Sequence, residues 1–143
     1  MRKLIIWFFA FVVVVASLPV SAQGLSTLAE IRKVTDSAME KVGRGDIEAG
    51  LKTFRHLTII PAAEFDAMLG QLPMQVPGMS SRFGASIGYE FIKEDKVGES
   101  LARFTYINKF ERHATRWYFY CYKGKSGWVV NTFRFDDKLH ELF

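Results

Sequence analysis

Trp117-Tyr-Phe-Tyr-Cys-Tyr-Lys-Gly-Lys-Ser-Gly-Trp-Val-Val-Asn-Thr-Phe-Arg-Phe135 is the stretch on which the fold turns. Aromatic and β-branched side chains suit a pleated, half-buried surface, so both ends of it read as strands. Gly124 and Gly127 bracket the short turn between them, which makes the pair a hairpin. Upstream, two more segments carry the same enrichment, and Gly98 and Arg112-His113-Ala114 mark the turns. Four strands are predicted, at Gly84–Lys93, Glu99–Glu111, Thr115–Lys123 and Trp128–Asp136, joined as an antiparallel meander. Leu139, Leu142 and Phe143 add a last turn or short strand against the core.

The chain before these strands is of another kind. Fifteen of the 21 aromatic residues, including all five Tyr, lie between Phe83 and Phe143, while the front is rich in Ala, Leu, Met, Glu and Lys. Helices first and a sheet afterwards argue for an α+β domain rather than a βαβ repeat. Thr27 and Glu30 have capping-box spacing, so the first helix starts there. Its apolar stripe is Leu28, Ile31, Val34, Ala38 and Val42, and Gly43 stops it. Asp46 caps a second helix with Ile47, Leu51 and Phe54 inside. Pro61 opens a short third helix carrying Phe65, Met68, Leu69 and Leu72. Two prolines and a glycine make Gln71–Ser81 a connecting loop, whose Met74, Val76 and Met79 either dock on the core or form a lid over a pocket.

Side chains alternate along a strand, so the turns set a register. Centring one hairpin on Arg112–His113 and the next on Lys125 sets Tyr106 opposite Phe119 and Trp117 opposite Phe133. Tyr106, Asn108, Trp117, Cys121, Val129, Asn131, Phe133 and Phe135 then share the core face. Arg116, Tyr118, Tyr120, Tyr122, Trp128, Val130 and Arg134 share the outer one. A one-residue bulge would exchange part of this assignment. The polar atoms of Tyr106, Asn108 and Asn131 either find partners in the core or, with Trp117, line a pocket between sheet and first helix that orients a small ligand. Tyr118, Tyr120, Tyr122 and Trp128 with flanking Arg have the composition of a protein interface. Dimerisation through that face is expected, against its being covered by a C-terminal segment or loop.

Residues 1–22 address the chain elsewhere. Arg2 and Lys3 precede an apolar run, Leu4 to Ala16, and Val20-Ser21-Ala22 supplies small residues for a signal peptidase. Thirteen apolar residues fall short of the roughly 20 that span a bilayer as a helix. The expectation is a cleaved signal peptide over 1–22, a single domain over 23–143, and export to the periplasm or beyond; an uncleaved anchor is the alternative. Without the leader, 17 basic residues face 15 acidic ones, too small an excess to argue for nucleic acid. One cysteine, Cys121, cannot make an internal disulfide and sits in an apolar alternation as a small buried group.

Helices followed by a curved four-stranded meander, the Gly-Trp that opens the final strand at Gly127-Trp128, and the second helix Gly45-Asp46-Ile-Glu-Ala-Gly-Leu-Lys-Thr-Phe54 together resemble the nuclear-transport-factor-two-like (cystatin-like) superfamily, in particular its small exported bacterial members. The resemblance covers about residues 25 to 143. It implies a cone-shaped α+β domain. The superfamily includes isomerases and dehydratases that use Asp, His and Tyr inside the cone, but the inward set here holds no Asp, Glu or His.

No phosphate-cradling glycine loop, His-Glu-x-x-His or cysteine pair is present, and His56, His113 and His140 are widely spaced. Asp136-Asp137 reads as a solvated turn. The expectation is therefore a non-catalytic exported domain that dimerises and holds a small apolar ligand, with no catalytic residue, metal or cofactor assigned. Two alternatives remain: a module docking an envelope partner through its outer face, and a small-molecule isomerase or hydrolase using Tyr106 with Asp66 or His56.

Overall fold

A computed structural model describes residues Gln23–Phe143, so the expected leader lies outside the described residues. Three helices, α1 (Leu28–Gly43), α2 (Ile47–Thr53) and α3 (Ala62–Phe83), precede four strands. These are β1 (Ser86–Val97), β2 (Leu101–Phe110), β3 (Ala114–Gly124) and β4 (Gly127–Asp136), antiparallel in the order β1-β2-β3-β4. Short 3-10 turns occupy Arg55–Leu57 and Leu139–Leu142. The α+β architecture is the one the residue pattern predicts.

Local chemistry starts the helices where expected. The Thr27 hydroxyl accepts from Glu30 N–H, while the Glu30 carboxylate accepts from Thr27 N–H at 2.8 Å. Asp46 accepts from Ala49 N–H at 2.9 Å to open α2. The third helix departs from expectation. Gln71–Ser81 is not a loop: α3 runs through Pro73 and Pro77 to Phe83, and stops at Gly84, whose φ of 88° suits glycine. Leu72, Val76 and Met79 continue the spacing of Phe65, Met68 and Leu69, so one stripe goes on packing against the core across both prolines. That burial outweighs the backbone bonds the prolines remove.

Strand positions agree with the reading, but register does not. The β2–β3 hairpin turns on Glu111–Arg112, which shifts the pairing by two and places Tyr106 opposite Trp117. Between β3 and β4 the ladder changes step, with Cys121 opposite Val130 but Tyr120 opposite Thr132, so Asn131 is the extra residue of a bulge. The bulge exchanges faces over the first half of β4. Trp128 and Val130, expected outside, belong to the core, whereas Phe133 and Phe135 keep the expected inner side. Trp128 is 6% exposed and pairs its backbone with Leu25. Gly127, at φ 107°, admits this contact: a Cβ there would lie 2.6 Å from the Leu25 carbonyl oxygen.

Helix α1 lies across β1 and β2, and the core closes between them through Ile31, Met39, Phe54, Phe104, Trp117 and Phe119. Trp117 stacks on Phe135 at 4.3 Å, and Phe54 meets Phe119 edge-on at 5.3 Å.

Candidate functional site

Inside the sheet, three of the four expected ligand-binding residues, Tyr106, Asn108 and Trp117, are buried and hydrogen-bonded within the core. Tyr106 is fully buried; its hydroxyl donates to Asp36 Oδ1 at 2.8 Å and lies 2.7 Å from Thr35 Oγ1. Burial first, and then the Asp36 carboxylate, hold this phenol well above its ordinary pKa. Arg32 completes the group: it bonds Asp36 at 2.7 Å, and its guanidinium lies 3.2 Å from the Phe91 ring centre. Asn108 Oδ1 accepts from the Ser86 hydroxyl at 2.9 Å, and Trp117 Nε1 donates to Thr115 Oγ1 at 3.1 Å. Asn131 sits apart from them, at the bulge. Thr35 and Asp36 are the partners the strand reading missed. Thr35 stood in the sequence four residues after Ile31, on the buried stripe of α1.

The residues weighed for acid–base chemistry are not together. Asp66 bonds Arg55 at 2.7 Å on the surface, and His56 is exposed on a 3-10 turn. Tyr106 meets neither. Cys121 is buried, which pushes its thiol up to about 12, so a thiolate is disfavoured at neutral pH.

The outer face has two parts. Toward the C-terminus of the chain, Tyr118 lies beneath three guanidiniums, those of Arg103, Arg116 and Arg134, each 5.2–5.3 Å from its ring centre. Arg116 is buried. It donates to the Tyr118 hydroxyl at 2.9 Å, to Asp136 Oδ2 at 3.0 Å, and to Glu141 of the final 3-10 turn. Asp136 is therefore not a solvated turn residue: its hydrogen bond from Arg116 holds its carboxyl below the usual range. The sequence signal was the direct cross-strand pair Arg116–Asp136, visible only in the correct register.

At the other end, the face is open. A groove of about 380 Å³ is lined by Val97, Leu101, Arg103, Tyr120, Tyr122 and Asn131, among others. Val97 is 69% exposed, Leu101 49% and Tyr122 45%. Tyr120 is half-buried, and Arg103 bonds Asp95 at 2.7 Å at the rim. Of the expected interface residues, Tyr120 and Tyr122 thus border this groove, Tyr118 lies under arginines, and Trp128 is in the core.

Comparison with protein-family models, with curated proteins and with solved structures finds no match.

Proposed function

We propose that this chain is an exported, non-catalytic domain of nuclear-transport-factor-two-like type that works as a homodimer through the open end of its outer sheet face. The observation that carries this reading is the cluster of Val97, Leu101 and Tyr122, exposed together beside an apolar groove. Contiguous apolar surface of this kind is costly to leave wet and is the usual core of a protein interface. The residues Arg2, Lys3, Leu4–Ala16 and Val20-Ser21-Ala22 support export. A small apolar ligand belongs to this reading only outside the sheet–helix interior, because Tyr106, Asn108 and Trp117 are fully packed there.

The test is light scattering of the protein and of Leu101→Asp and Tyr120→Asp. A dimer mass for the protein that halves in both variants is the expected result. A wild-type monomer overturns the homodimer and favours the alternative, in which the same face receives an envelope partner. A dimer unchanged in both variants overturns this interface.

A further inference from the structure

We infer that the free edge of β4 is a second binding site, which takes an extended peptide as a fifth strand in the trough between β4 and α3. The reading begins with the sheet order, which leaves β4 at an edge. Its first half is covered: Trp128 pairs with Leu25, and Val130 bridges Thr58. From Asn131 to Asp136 the only ladder described is the one to β3. Alternate residues there turn their N–H and C=O groups outward with no strand to receive them.

Helix α3 meets this edge only at its last turn, where Arg82 pairs with Asp137 at 3.6 Å, and leaves it open before that. Two cavities, of about 290 and 380 Å³, lie between helix and strand and adjoin at Gln75 and Phe135. The first is walled by Phe133, Arg134 and Phe135, the second by Phe135, Asp136 and Asp137. Together they run alongside β4 from Phe133 to its end at Asp136, on the side where α3 lies. On the helix side, Gln71, Gln75, Gly78 and Arg82 recur at three- and four-residue steps, one stripe overlooking the trough for its whole length. Met68 and Leu72 line one cavity, Met79 and Phe83 the other. Methionine adapts to varied apolar shapes.

Unpaired strand groups beside two apolar cavities are what strand addition requires. The backbone of the added segment supplies affinity through the ladder, and alternate side chains supply specificity through the cavities. The occupant is therefore an extended peptide with apolar side chains at alternate positions. An acyl chain would fill the cavities but leave the edge groups of β4 without partners.

A random heptapeptide display library is selected against the protein produced from its full-length sequence, with counter-selection on Gln75→Trp, which sets an indole where the two cavities adjoin. Peptides alternating apolar and polar residues are expected, and Gln75→Trp should weaken a selected peptide at least about tenfold. Methylating alternate backbone nitrogens of that peptide should abolish binding in one of the two settings and spare it in the other. Amides within 131–136 should gain hydrogen-exchange protection when it binds. Leu101→Asp, which probes the homodimer face two strands away, should leave peptide affinity unchanged. Recovery of no alternating peptide, binding indifferent to both methylation settings, or dodecanoate binding while peptides do not, would each overturn the site.

Discussion

At the scale of single residues, Tyr106 shows how a polar group becomes part of a core. Its ring packs on Phe91 and Phe119, and its hydroxyl finds Thr35 and Asp36. Removing only the hydroxyl leaves those two partners facing an apolar edge. Tyr106→Phe is therefore expected to lower stability by about 1–2 kcal/mol in urea titration, with unchanged circular dichroism. That Tyr106 needed a partner was legible in the alternation of its strand. Which partner was not, since Thr35 and Asp36 lie 71 and 70 residues away in sequence and meet it only when α1 crosses β2. Trp128 teaches the same lesson in reverse. Its residue type suited either face, and one extra residue at Asn131 decided between them.

At the scale of elements, α3 is the conflict between local and tertiary preference. Pro73 and Pro77 each remove an N–H from the helical ladder, and each ring crowds the carbonyl one turn earlier. A local reading ends the helix there; packing of Leu72, Val76 and Met79 carries it on. Pro73→Ala restores one bond and relieves that crowding. It is expected to stabilise the protein by about 1–3 kcal/mol, less whatever the freer unfolded chain takes back. Denaturant titration measures the gain, and slower hydrogen exchange of the α3 amides locates it. The other two helices were legible almost residue by residue, because capping box, Asp cap and apolar stripe are short-range signals.

At the scale of the whole molecule, the two ends of the described chain are tied to the sheet by different forces. Leu25 is held to Trp128 by backbone pairing, and the final 3-10 turn is held by Glu141 on Arg116. Arg116 depresses both Asp136 and Glu141 below their ordinary values of 3.8 and 4.5, chiefly through hydrogen bonds to them. A carboxylate depressed in the folded state contributes stability above its unfolded pKa and loses it as pH falls through the folded value. The melting temperature should therefore drop steeply below about pH 4 as these groups protonate. Asp136→Asn should melt lower at neutral pH and show a shallower acid slope, the two curves converging in acid; thermal melts across that range test it. By itself the sequence determined the order of helices and strands, the helix starts, and the aromatic character of both sheet faces, because these follow from short-range periodicity and caps. Only the tertiary structure decided the β4 bulge, the length of α3, the partners of Tyr106 and Arg116, and the open edge of β4. Each of those is settled by contacts between distant segments, where a shift of one residue turns a side chain from core to surface.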